Sequence, residues 1–262
     1  MLTNKFTSHT QKGFKTNTPG CLEHSFALFE ALLDAKHNQR QAVVTWLDLC
    51  NAYGSIKHIQ FALKWYHVPS SCTLILDYYD KICACLQTKS WTSNTFLFDL
   101  GLFQGCVLSC ILFSCVFQLL LDMLDPLADA HATYDQAFAD DLSILSSCPS
   151  LNQATIDVVQ RFLEWAFLKA KPSKCVCMAM KRFEPNSVVE KLKDVVYSPF
   201  DPDLKIAGEK IRFIVNTAVD PASLHYDHFI SVDLKEDKIK SEVRKRFLDD
   251  MEKVVFWCQW PV

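Results

Sequence analysis

Ten residues constrain this chain more than any others: Gln136-Ala137-Phe138-Ala139-Asp140-Asp141-Leu142-Ser143-Ile144-Leu145. Two adjacent carboxylates stand between two short apolar runs, each of the length and composition of a buried strand. Short polar side chains tolerate the backbone angles of tight turns, so the stretch reads as a β-hairpin with Asp140 and Asp141 at its tip. Such a pair is either a solvated turn or a set of oxygen ligands for a hard divalent cation such as Mg²⁺. Other parts of the chain decide between the two.

A hairpin needs neighbours to bury its faces. With 50% of 262 residues hydrophobic and 22% charged, a sizeable core is expected and general disorder is not. The length suits one large domain or two small ones. A formal net charge of −3 excludes a surface that is basic overall and leaves room for a local basic groove. The 12 cysteines include Cys83 and Cys85, Cys106, Cys110 and Cys115, and Cys175 and Cys177, all in apolar runs. None forms a CxxC pair and no secretory leader is seen. They are expected to be reduced and buried in an intracellular protein, cytoplasmic or nuclear, without structural zinc. The longest apolar stretch, Cys106 to Leu121, is broken by Ser109, Ser114 and Gln118, short of the roughly 20 apolar residues of a membrane span. It is expected to be a buried core helix, with no membrane partner.

In chain order, residues 1–20 read as an exposed or frayed lead-in. Leu22, Phe26, Phe29 and Leu33 recur at helical spacing and predict an amphipathic helix over 21–37. Ala42 to Leu47 predicts a buried strand ending at Asp48. Helices are expected at 57–67 and 71–87, separated by Pro69, and a hairpin around Ser93-Asn94. The loop Gly101 to Gly105 leads into a helix stopped by Pro126. After the aspartate hairpin, Ser150 and Gln153 predict a capping box for a helix to about Lys169. Lys171 to Lys174 is a turn and Cys175 to Met180 a strand. The stretch 184–210 looks loop-rich, 211–215 a short strand, and 237–257 an amphipathic helix. The order describes an α+β domain, an antiparallel sheet with helices on one face. If the strands carrying Asp48 and the Asp140-Asp141 tip are neighbours, three carboxylates converge at one sheet edge, which is unfavourable unless cations bind there.

These residues carry a resemblance. Thr45-Trp46-Leu47-Asp48-Leu49-Cys50-Asn51-Ala52-Tyr53 resembles the first catalytic motif of reverse transcriptases. Gly101-Leu102-Phe103-Gln104-Gly105-Cys106-Val107-Leu108-Ser109 with Leu112-Phe113 resembles the second, Phe138-Ala139-Asp140-Asp141 the third, and Lys171-Pro172-Ser173-Lys174-Cys175 the fourth. Upstream, Gln11-Lys12-Gly13-Phe14 followed by His24 is similar to a segment of non-LTR retrotransposon and group II intron enzymes. Each motif alone is weak; four in order, over about residues 11–180, are specific.

The resemblance implies a polymerase palm with a ferredoxin-like antiparallel sheet. Residues 1–40 would be residual fingers, 41–183 the palm, 184–232 a loop-rich extension and 233–262 the helical start of a thumb-like segment. The activity implied is RNA-directed DNA polymerisation, joining dNTPs to a DNA primer on an RNA template with two Mg²⁺ or Mn²⁺ ions. Asp48, Asp140 and Asp141 would be the catalytic, metal-binding carboxylates, and the Leu49 carbonyl a further ligand. Tyr53 would exclude a 2′-hydroxyl by bulk; as an ordinary aromatic it would only close a strand end. Gln104 and Gly105 would contact template and nucleotide, or Gln104 would merely cap the next helix. Lys174 would stand near the pyrophosphate, or be a solvated turn lysine. The chain departs from the family pattern at Phe103, where a basic residue is usual, at Val107 and Cys110, where prolines are usual, and at Phe138, where Tyr is usual. The basic fingers segment that precedes Gln11 in the family is not in the chain, and no endonuclease or RNase H signature is seen. The alternatives are a truncated, non-catalytic retroelement remnant that keeps the palm fold, or another palm-fold nucleotidyl enzyme.

Overall fold

The computed structural model describes residues 8–15, 18, 20–69, 73–81, 83–97, 101–103, 105–131, 133–182 and 197–214. Its elements run α1 (Cys21–His37), β1 (Ala42–Leu47), α2 (Ala52–Ser55), α3 (Ile59–Trp65), α4 (Thr73–Asp80), β2 (Cys83–Ala84), β3 (Phe96–Leu97), α5 (Val107–His131), β4 (Thr133–Phe138), β5 (Asp141–Ser146), α6 (Pro149–Trp165), β6 (Val176–Arg182), β7 (Tyr197–Pro199), β8 (Lys205–Ile206), β9 (Glu209–Lys210) and β10 (Arg212–Phe213). The expected helix at 237–257 and Gln104 lie outside the described residues.

The main sheet has the order β10-β6-β1-β5-β4, antiparallel except where β10 joins β6, and β7 pairs with the far end of β6. Central β1 is apolar except at Thr45 because both its faces are covered. Val43 and Leu47 face α5 and α6, in a core with Phe113, Phe117, Ile144, Ile156 and Leu163. Ala42 and Val44 face the other way and meet Leu28, Leu32 and Ala35 of α1 with Met178 and Met180 of β6. The two faces are sealed differently. Between β1 and α6, buried Asn152 accepts from the Thr45 hydroxyl at 2.7 Å and donates to Ser146 Oγ at 3.0 Å, so a polar pair is satisfied inside an apolar layer.

Several expectations change. Residues 8–15 are no frayed lead-in: Thr10, Gln11 and Gly13 are buried, and Gln11 bridges Ala137 of β4 in parallel. Backbone pairing to a strand edge holds them, a contact that no local periodicity announces. In α1 the buried stripe is Leu28, Leu32 and Ala35, while Phe26 is 64% exposed. The helix docks with its smaller aliphatic residues on the sheet. The helix α4 ends at Asp80, and β2 and β3 form a hairpin whose turn is closed by Thr88 and Trp91, not by Ser93-Asn94.

Pro126 does not stop α5, which runs on to His131. Pro126 lies on the exposed side, as does Asp122, whose carbonyl loses its N–H partner one turn away. Burial of Leu120, Leu121 and Leu124 on the other side outweighs that loss. Leu108 to Pro126 is long and apolar enough, by length and composition only, to cross a membrane; 61% of it is buried here as a core helix. No Ser150–Gln153 capping box forms, because α6 starts at Pro149, with Cys148 rather than Ser150 at the N-cap. Gln153 instead donates to the Lys205 carbonyl at 2.9 Å and accepts from its N–H at 2.8 Å. Part of the loop-rich stretch is ordered as β7, β8 and β9. Cys83 and Cys85 are exposed, unlike buried Cys115, Cys175 and Cys177.

Candidate active site

The antiparallel register assembles the aspartates. Leu47 of β1 pairs with Leu142 of β5, so one step further the same register sets Asp48 across from Asp141. Residues facing each other across two strands project to the same side of a sheet. For Asp48 and Asp141 that is the α1 side, where both line one groove. Phe138 pairs with Asp141, so the turn proper is Ala139-Asp140, and Asp141 is the first residue of β5 rather than a tip residue. Ala139 has φ +57. The first position of a two-residue hairpin turn usually takes glycine for this purpose, and alanine there costs roughly 1–2 kcal/mol.

The carboxylates feel one another. Burial pushes Asp140 above the ordinary carboxylate range, with Asp48 adding to the shift. Asp141 is raised by loss of water, then by Asp140 and Asp48, while Lys174 pulls it back. Lys174 Nζ stands 3.3 Å from Asp48 Oδ2. The main chain behind Asp48 is held by the turn of the fourth motif: Lys171 N–H donates to the Asp48 carbonyl and Cys50 N–H to the Lys169 carbonyl, both at 2.8 Å. Those two bonds flank the Leu49–Ala170 bridge. In that pattern the C=O and N–H of Leu49 point away from Ala170, toward the hairpin side.

Tyr53 packs on a shelf. Its ring stacks on Phe113 at 4.6 Å between centroids and meets Phe14 edge-on at 6.4 Å. Its hydroxyl is buried without a well-formed hydrogen bond, and burial, with Cys110 and Asp140 nearby, pushes the phenol up. The loop of the second motif docks on the same residue: Leu102 N–H donates to the Tyr53 carbonyl at 2.6 Å. Gly101, at φ +82, leaves no room for a side chain, since a Cβ would stand 2.4 Å from the Gly54 backbone. Gly105 is also at positive φ, but a Cβ there would meet nothing within 4 Å. At this φ glycine meets the backbone conformation without strain.

The structure thus brings Asp48, Asp140, Asp141 and Lys174 together at one end of the sheet, with Tyr53 near Asp140 and Leu102 docked on Tyr53. Asp48, Asp141 and Lys174 line a groove of about 530 Å³, whose wall also carries His24, Trp46, Gln136 and Arg212. Sequence reading missed Arg212, because only the parallel pairing of β10 with β6 carries it there. The donor chemistry fits a hard cation: Asp48 and Asp141 line a groove open to solvent, and Asp48 adds to the burial that raises Asp140 and Asp141. Among the described residues no three His, Cys, Asp or Glu side chains stand close enough to hold one ion alone. Mg²⁺ characteristically takes one or two carboxylates and completes its shell with water and substrate phosphates.

Residues 1–215 match the family described as reverse transcriptase (RNA-dependent DNA polymerase). The chain is 29% identical over 181 residues to the retrovirus-related Pol polyprotein from type-2 retrotransposable element R2DM of Drosophila melanogaster, covering 65% of this chain and 17% of that protein. The telomerase of Candida tropicalis, solved with a fragment of telomeric RNA, superposes with a TM-score of 0.50 at 12% identity, over 65% of this chain and 30% of that one. The Candida albicans telomerase aligns at a TM-score of 0.43 and 11% identity, over 64% of this chain and 32% of that one. At 12% identity the likeness to the Candida tropicalis telomerase is one of fold.

Proposed function

The chain belongs to the reverse transcriptase family, and we propose that it is the palm of a retroelement RNA-directed DNA polymerase that extends a DNA primer with dNTPs on an RNA template. The observation that carries this reading is the register that sets Asp48 across from Asp141 and beside Asp140. Two bound divalent ions, Mg²⁺ or Mn²⁺, would supply a more acidic primer 3′-hydroxyl and neutralisation of the leaving pyrophosphate.

The chain's own residues do the rest by position and charge. Asp48, Asp140 and Asp141 hold the ions, with the Leu49 carbonyl turned toward the same side. The Tyr53 ring, fixed on Phe113, is the bulk that a ribose 2′-hydroxyl would strike. Gln104 and Gly105 contact template and nucleotide. The Lys174 ammonium, already beside Asp48, attracts the triphosphate and is a proton source for pyrophosphate. The palm spans 41–183, with 1–40 as residual fingers, 184–232 as its extension and 233–262 leading into a thumb.

The test is primer extension on poly(rA)–oligo(dT), with wild type and Asp140→Asn, each also in a form extended at the N-terminus. Asp140→Asn should lower extension by about 10³-fold or more, the scale of losing several kcal/mol of transition-state stabilisation. Millimolar Mn²⁺ should raise the wild-type melting temperature by mass action, and raise that of Asp140→Asn less. If the extended wild type adds no nucleotide and gains no stability from Mn²⁺, the chain is a palm-fold remnant and the polymerase reading is abandoned.

A further inference from the structure

Gln11 touches the aspartate turn, and no role described so far uses it. Its side chain is only 2% exposed. Oε1 accepts from the Ala139 N–H at 2.9 Å and the Gly13 N–H at 2.7 Å, and Nε2 donates to the Ala139 carbonyl at 3.1 Å. One amide therefore binds both backbone polar groups of the left-handed residue. The chain on either side is joined to β4: Ala137 N–H donates to the Thr10 carbonyl at 3.0 Å, and Lys12 N–H to the Ala137 carbonyl at 2.9 Å. Gly13 is pressed so close that a Cβ would stand 2.3 Å from the Ala139 nitrogen. Any larger residue there would lift the segment off the turn.

Asp140 follows Ala139 directly, so the backbone angles of Ala139 set the direction in which Asp140 leaves the turn. Alanine does not favour positive φ on its own. Something outside the hairpin must supply the preference, and the Gln11 amide recognises that backbone by two hydrogen bonds, with a third, from the Gly13 N–H, holding the amide in place. We propose that Gln11 is a positioning residue: it clamps Ala139 in the left-handed conformation and so aims Asp140 at Asp48, making residues 8–15 part of the active site. The proposal rests on the reading of Asp140 as a cation ligand.

The experiment uses the full chain as wild type, Gln11→Leu and Gln11→Glu. Leucine keeps the volume and loses every bond; glutamate keeps the shared acceptor and loses the donor. Backbone amide exchange, resolved by NMR, should show the Ala139 N–H protected in wild type and exchanging about 100-fold faster in Gln11→Leu, with Gln11→Glu in between. Amides of Leu142 and Ile144 should keep their protection in all three, which separates loss of the clamp from unfolding. Mn²⁺ affinity by calorimetry should fall about tenfold in Gln11→Leu. Unchanged exchange at Ala139 overturns the proposal, as does faster exchange with undiminished Mn²⁺ affinity. If wild type binds no Mn²⁺, the polymerase reading falls. The clamp then stands or falls on exchange alone: acceleration confined to the turn upholds it, and its absence removes it.

Discussion

The two faces of the central sheet are built from the same strands and do opposite things. On the α5–α6 side, Val43, Leu47 and Ile144 meet Phe113, Phe117 and Ile156, and buried Asn152 is satisfied by the Thr45 and Ser146 hydroxyls. On the α1 side, a small aliphatic cluster of Leu28, Leu32, Val44, Met178 and Met180 gives way along the strands to Trp46, Ser143, Asp48 and Asp141, where the groove opens. Strand alternation makes this division possible, because a strand presents successive residues to opposite sides. The lesson is one of offset: a well-packed face holds the strand register under load, and crowded carboxylates on the other face can then be tolerated at the sheet edge.

The strongest way to break the comparison is to damage the packed face. Phe113→Ala should destabilise the chain by about 3–5 kcal/mol in urea unfolding. It should also remove the shelf under Tyr53, so any residual enzyme should discriminate less well against ribonucleotides. Next in size is Asn152→Ala, which takes away the partner of the Thr45 and Ser146 hydroxyls inside the same face. A loss of roughly 1–3 kcal/mol is expected from the same measurement, the cost of buried polar groups left unpaired.

The smallest effect, and of opposite sign, belongs to the open face. Asp140 has its pKa raised in the fold by burial and then by Asp48. A carboxyl so raised carries its penalty above its folded pKa, and the penalty is relieved as pH falls through that value. Asp140→Asn should therefore raise the melting temperature of the metal-free chain slightly at pH 7. The gain should shrink as the pH is lowered into the ordinary carboxylate range. A loss of stability at pH 7 would mean that the open face is held together by Asp140 rather than strained by it.

Local chemistry was legible along the chain. The mostly apolar, β-branched run at Ala42 to Leu47 and the short apolar runs on both sides of Asp140-Asp141 determined the strands, because their side chains leave few other ways to be buried. The order of four short motifs carried the family, and the family model agrees over residues 1–215. Where a choice depended on a distant partner, the sequence was silent or misleading. Pro126 reads as a stop, yet its exposed position lets α5 continue. Gln11 reads as lead-in, yet it clamps a residue 128 positions away. Asp48 reads as a strand-end carboxylate and Asp141 as part of a hairpin tip, and only the pairing of β1 with β5 puts them face to face. Patterns of hydrophobicity and turn chemistry act within a few residues, so they decide elements. Register, the direction of the aspartate turn and the arrival of Arg212 at the groove come from hydrogen bonds between segments far apart in the chain, which no local pattern encodes.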